Sequence, residues 1–214
     1  MNITILSDAD AWMNSYTQQL VQNLERDGHS VRLINQVNAL EAGDIAFFLS
    51  LGQLVPASKL NLHKNNIVVH ASALPRGKGW SPLTWQIVEG YNEIPLTLFE
   101  AEAAVDSGAV YLTDILHYNG SELIDELRSI MAEHIIKMCY EFVCRYPAIL
   151  TDAKSQEGES TFYKRRNKDD SRIDPYKTIA EQFNLLRTVD NERYPAFFEL
   201  HGCRYILSIV KEAN

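Results

Sequence analysis

Four short, apolar and mostly β-branched runs, at residues 2–7, 31–34, 45–49 and 67–69, alternate with segments of helical length or with loops bearing Gly and Pro. That alternation most narrows the folds open to this chain. The run at 45–49 is apolar throughout and has no face to show water, which is typical of strands in parallel sheets covered on both sides. Between the first two runs, Trp12, Leu20, Val21 and Leu24 recur at roughly helical spacing. Asp8 or Asp10 is the expected cap of that helix and Asp27-Gly28 its stop. Strands alternating with helices predict an α/β fold with a doubly wound, mostly parallel sheet. Ligands of such sheets gather beyond the carboxyl ends of the strands. This singles out His70, at the end of its strand, and the loop from Leu51 to Pro56, which follows the third.

Farther along, residues 82–89 predict a helix with Pro82 in its first turn. Residues 96–100 and 110–113 predict strands flanking a loop around Asp106. Ser121 is the expected N-cap of a long helix whose apolar stripe is Leu123, Leu127, Ile130, Met131, Ile135 and Met138. At Thr151 the composition turns polar and charged through residue 174, and Phe162 and Tyr163 are the expected anchors of an ordered surface arm. A short helix at 175–186 and a β-hairpin of 197–200 with 204–210 complete the expected layout. Residues 1–150 are therefore expected to form a core, and 151–214 an arm, a short helix and a hairpin. The hairpin carries enough apolar residues to pack on its own core or to serve a homodimer.

A chain of 214 residues with 46% hydrophobic residues can bury a sizeable core. Its net charge of −8 argues against a nucleic-acid partner, since phosphate neutralisation needs surplus Lys and Arg. The N-terminus has no basic and apolar leader pattern, and no apolar run approaches membrane length, so a soluble cytoplasmic protein is expected. Cys139, Cys144 and Cys203 match neither a zinc pattern nor a disulfide framework, and are expected to be reduced and buried.

The stretch from His70 to Tyr111 concentrates the chemistry. His70 opens it, Ser72-Ala73-Leu74-Pro75 follows, and Asp106-Ser107-Gly108 begins 36 residues after the histidine. In order and spacing this resembles the core of the formyltransferases that use 10-formyltetrahydrofolate, which pair a His before an S-L-L-P turn with an Asp in a D-[TSA]-G loop. The resemblance implies acyl transfer to an amine without a metal. Such a reaction needs a deprotonated amine, donors for the oxyanion of the tetrahedral intermediate, and a proton for the departing nitrogen. By the same likeness His70 donates to the oxyanion while Asp106, hydrogen-bonded to the imidazole, relays the amine proton. Leu51, Gln53, Leu54 and Val55 would form one wall of the folate pocket, and Ala103, Ala104 and Val105 the facing backbone loop. One departure stands out: the family's N-x-H has Val68 in place of the Asn. Asn65 and Asn66 are expected to sit before the strand.

The resemblance is strongest to the sugar N-formyltransferases, and the segment LPRGKGWSPLTWQIVEG looks like the subgroup acting on amino sugars such as the pseudaminic acid precursor. It implies a nucleotide-linked 4-amino-4,6-dideoxy sugar, UDP-linked, from a surface-glycan pathway. Methionyl-tRNA formyltransferases are less expected, because they carry a sizeable tRNA-gripping C-terminal domain while this sequence ends soon after the core. A diphosphate calls for cations, and Lys78, Lys164, Arg165 and Arg166 are the candidates. Trp80 is expected to border the sugar and Trp85 to lie in the core. The alternatives are another small amine, such as an aminoacyl group or glycinamide ribonucleotide, and a non-catalytic folate- or nucleotide-sugar-binding protein.

Overall fold

The computed structural model describes residues 1–212. β1 (Asn2–Leu6), β2 (Ser30–Ile34), β3 (Gly43–Phe48) and β4 (His63–His70) are mutually parallel, with α1 (Asn14–Arg26) and α2 (Ala57–Leu60) in the first and third connections. After β4 come β5 (Lys78–Gly79) and α3 (Pro82–Val88). The sheet is then completed by β6 (Glu93–Glu100) and β7 (Val110–His117), in the order β2-β1-β3-β4-β6-β7. The fold is α/β as expected, but β4–β6 and β6–β7 pair antiparallel. An apolar run carries no direction: β6 runs against β4 although α3 lies between them, and β7 returns antiparallel to β6 after a connecting loop.

The central strands β1, β3 and β4 are largely buried on both faces. Ile45, Phe47, Ile3, Ile5 and Ile67 pack with Leu20 and Leu24 of α1 and with Leu127, Ile135 and Phe142 of α4 (Ile124–Cys144). Ala46, Phe48 and Leu6 point to the other side, against Val37, Leu40 and Leu60. Successive residues of β3 thus feed opposite clusters, the period-two consequence of strand geometry. Among the described residues no helix is long and apolar enough to cross a membrane.

Several local expectations are corrected. The helix expected from residue 8 or 10 begins at Asn14. Asp8 does not cap it, since its carboxylate accepts the Gly52 N–H at 2.6 Å. Nor does Ser121 cap α4: its hydroxyl donates to Asn119 Oδ1 at 2.7 Å, and the Leu123 N–H is met by Glu126 at 2.8 Å. Asn65 and Asn66 lie inside β4 rather than before it. Cys139 is buried, but Cys144 and Cys203 are exposed.

The polar segment after residue 151 is folded onto the core. Lys154 and Val110 form an antiparallel bridge, and β8 (Phe162–Tyr163) pairs parallel with β5. The Tyr163 ring stacks on Trp85 with centroids 6.4 Å apart, while Phe162 is exposed. Trp85 is half-buried beneath this arm rather than in the core, and its indole N–H donates to Lys164 O at 2.9 Å. The helix expected at 175–186 is reduced to α5 (Phe183–Leu186). The Gln182 amide donates to Asp174 O and Asp174 N–H returns to Gln182 Oε1, which holds the preceding segment as a turn. β9 (Ala196–Leu200) and β10 (Cys203–Leu207) form the antiparallel hairpin, over a small cluster of Ile173, Leu186, Val189 and Ala196.

Candidate functional site

His70 is the last residue of β4, paired in register with Thr97 of β6, and only 9% exposed. The chain turns at once, with Ser72 N–H donating to His70 O at 2.9 Å. The following loop returns so that His70 Nε2 donates to Gly77 O at 2.8 Å. A carbonyl only accepts, so Nε2 carries a proton and the hydrogen bond orients the ring. The sequence reading gave that role to Asp106. Asp106 Oδ2 instead lies 3.9 Å from Nε2, a charge neighbour rather than a hydrogen-bond partner.

Asp106 stands in the β6–β7 connection at φ 49°, an uncommon conformation for a side-chain-bearing residue. The Gly79 N–H donates to its Oδ2 at 2.9 Å. Two positions later the loop backbone passes so close to β6 that a Cβ on Gly108 would lie 1.9 Å from Glu100 O. Only glycine fits there, which gives the Asp-Ser-Gly motif a steric reason. Beneath the loop, the Glu100 carboxylate accepts from Asn65 Nδ2 (2.9 Å), Asn66 N–H (2.5 Å) and Tyr111 OH (3.0 Å). Burial is the largest influence on Glu100 and raises its pKa, although these three donors favour the charged form. Asn65 is therefore committed to the loop base.

Two cavities flank the pair. The smaller, about 130 Å³, is lined by Leu51, Gln53, Leu54 and Val55 on one side and Ala103, Val105 and Asp106 on the other, with Val68 and Phe99 between. Ala104 does not line it. Its walls are largely apolar, with carboxylate and amide groups at the rim, a composition that suits a flat heterocycle read at its polar edge. Asp8 fixes the first wall through Gly52.

The larger cavity, about 360 Å³, is bordered by His70, Trp80, Arg128, Arg165, Arg166 and Tyr194, among others. The Arg165 guanidinium lies over the Trp80 ring at 4.5 Å and has no carboxylate partner among the described residues. Arg166 donates to Thr188 O (3.3 Å) and Ser171 Oγ (3.1 Å). Burial pulls its pKa below the usual value, against the nearby Asp170 and Tyr194. Lys164 is turned away, paired with Asp170 and placed over Trp85 at 5.3 Å. Lys78 is buried in β5 and borders neither cavity.

Sequence reading missed Trp12, Arg128, Asp190 and Tyr194, which also border the larger cavity. Arg128 had a legible signal: Ile124, Arg128, Met131 and Ile135 all face the cavity at helical spacing, a cation within an apolar stripe. Asp190 pairs with Arg128 at 2.9 Å and accepts the N–H groups of Glu192 and Arg193 at 3.1 and 3.0 Å. These three contacts occupy its carboxylate, one oxygen holding Arg128 and the other the turn.

No family model matches the chain. In sequence, a methionyl-tRNA formyltransferase from Lachnospira eligens is 28% identical over 167 residues, covering 76% of this chain. The chain spans about half of that relative, 51% of its length. In structure, a methionyl-tRNA formyltransferase from Clostridium thermocellum superposes with a TM-score of 0.80 at 21% identity, covering 95% of this chain and 90% of the other. A sugar N-formyltransferase from a Shewanella species gives 0.73 at 14% identity, covering 100% and 99%. HypX from Aquifex aeolicus in complex with tetrahydrofolic acid gives 0.76 at 18%, covering 94% of this chain and 36% of that one. The chain is thus similar in sequence to a methionyl-tRNA formyltransferase over 76% of its length, and shares over nearly all of it the fold of solved formyltransferases.

Proposed function

We propose that this chain transfers a formyl group from 10-formyltetrahydrofolate to the amine of a nucleotide-linked 4-amino-4,6-dideoxy sugar. The observation that carries the reading is the placement of two cavities on either side of one pair, with His70 bordering the larger and Asp106 the smaller. Leu51, Leu54, Val55 and Val105 would hold the folate heterocycle in the smaller cavity. The acceptor would enter the larger one. Asp106 takes the amine proton, and the amine nitrogen bonds to the formyl carbon. His70 donates to the oxyanion that results. The bond from that carbon to the folate nitrogen then breaks, and the proton passes to that nitrogen. Burial of His70 excludes water from the oxyanion, where a donor has its largest effect.

Arg165, without a carboxylate partner among the described residues, and the half-buried Arg166 would supply the cations that a diphosphate requires. Arg165→Ala is expected to raise the KM for a nucleotide-linked acceptor about tenfold or more, the loss of one charge-assisted hydrogen bond. The KM for the folate should not move. Steady-state kinetics with each substrate varied in turn checks this.

A second reading has its own support. Met13, Leu83, Met131 and Ile135 give the larger cavity an apolar side, and the sequence relative is a methionyl-tRNA formyltransferase. A methionyl group would suit that wall. The test is incubation with 10-formyltetrahydrofolate and either UDP- and dTDP-linked amino sugars or methionyl-tRNA, followed by mass spectrometry. A formylated sugar supports the proposal, formylated methionyl-tRNA replaces it with the second reading, and no product from any acceptor sinks both.

A further inference from the structure

The polar segment after residue 151 is bonded to both loops that carry the reacting pair. Lys154 and Val110 exchange backbone hydrogen bonds of 2.8 and 2.9 Å where β7 begins. Two residues later, the Gln156 side-chain amide donates to Asp106 O and to Gly108 O, both at 2.9 Å. These carbonyls bracket the Asp106 turn. The orientation of that amide is enforced, because flipping it would set an oxygen against two carbonyls. Its Oε1 is buried and without a partner, so the side chain is committed to its two donations.

Thr161 serves the other loop. Its Oγ1 accepts the Gly77 N–H at 2.9 Å, and its carbonyl accepts the Lys78 N–H at 2.9 Å. Gly77 O is the acceptor for His70 Nε2 at 2.8 Å. The Trp80 N–H donates to Tyr163 O at 3.2 Å, which extends the same attachment past Gly79, the donor to Asp106. A chain of bonds therefore runs from Thr161 through Gly77 to the imidazole. A parallel one runs from Gln156 to the Asp106 backbone.

Neither connection is held by the core alone. Residues 102–105 are exposed, and Asp106 keeps a positive φ, which persists only where the surroundings over-determine it. His70 and Asp106 come from different loops, and their separation is set by whatever spans both.

We propose that residues 154–163 form a clamp in which Gln156 and Thr161 are positioning residues, acting through Asp106 and His70 respectively. This rests on the reading of that pair as the formyl-transfer centre. The geometry asks for an amide at 156, which must donate twice, and a hydroxyl at 161, which must accept.

The test uses the full chain with four variants. Gln156→Ala removes both donations, and Gln156→Glu keeps the shape while placing a carboxylate against two carbonyls. Thr161→Val is isosteric without the acceptor, and Thr161→Ser retains it. For the first three, kcat is expected to fall roughly 10- to 100-fold, as small misplacements of reacting groups do. Both KM values should change less than about twofold, the pH profile of kcat should shift, and Thr161→Ser should restore most of the rate. Nitrogen resonances of His70, read by NMR, report the Nε2 bond without turnover: they should move in Thr161→Val and not in Thr161→Ser. Variants with unchanged kcat, pH profile and resonances overturn the clamp. So does a Thr161→Ser variant as impaired as Thr161→Val, or a loss of rate matched by loss of fold. A wild-type protein with no transfer activity sinks the functional reading alone, and the resonances still decide the clamp.

Discussion

His70→Ala and Asp106→Asn are each expected to cut formyl transfer by roughly 10²- to 10⁴-fold, the range for removing a positioned acid–base group. Both should leave the fold intact. His70 sits at a strand end where the ring contacts a loop carbonyl, and Asp106→Asn keeps an oxygen to accept the Gly79 N–H. The Asn variant is the sharper of the two, because it preserves shape and hydrogen bonding but cannot take up a proton. Single-turnover kinetics, with circular dichroism as the check on folding, would measure both. A residual rate within tenfold of wild type in Asp106→Asn would remove Asp106 from the chemistry.

The largest expected effect on stability lies elsewhere, at Arg187. Its side chain is fully buried at 0% exposure, with Nη1 3.5 Å from Glu122, Nη2 2.5 Å from Asn92 and Nε 3.1 Å from Asn184. This cation ties the segment preceding β9 to the α4 entry and to the turn before β6. Glu122 is itself buried, and accepts the N–H groups of Asn119 and Gly120 at 2.7 and 3.0 Å. Arg187→Met keeps the volume and strands the carboxylate. Breaking a buried pair in this way costs about 3–5 kcal/mol, and on the order of 10 °C in Tm for a domain of this size. Glu122→Gln, which keeps an acceptor and removes the charge, should cost less. Urea unfolding of the two variants compares them, and a loss below about 1 kcal/mol in Arg187→Met would contradict the assignment.

The layers of the fold were legible where apolar patterning is decisive. β3 announces burial on both faces because Ala46 and Phe48 need cover as much as Ile45 and Phe47 do. Strand direction was not legible, since β6 reads the same in either sense and only its pairing with β4 settles it. Ser121 and Asp8 were misjudged for a common reason. A short polar side chain near a helix start is a good cap in isolation, but here each is engaged by a turn or a loop. At the site, the loop holding Leu51, Leu54 and Val55 stood out because it follows a strand end, whereas Val105 was implied by the family resemblance alone. Gln156 and Thr161 could not be picked out of a charged stretch. Their partners are 50 and 84 residues away, and no local period records such a contact. Lys164 is paired with Asp170 while Arg165 lies over Trp80 beside the larger cavity, a difference that adjacency in sequence does not encode.

The opposed cavities also constrain the order of events. On the proposed reading, acceptor and donor would occupy separate cavities that meet at a histidine and a carboxylate 3.9 Å apart, so both could be bound at once. Direct transfer within a ternary complex then needs no acyl-enzyme, and the kinetics should be sequential rather than ping-pong. Double-reciprocal plots at several fixed folate concentrations are expected to intersect, and the enzyme incubated with the formyl donor alone should show no gain in mass. A family of parallel lines would mean that the formyl group rests on the protein between substrates.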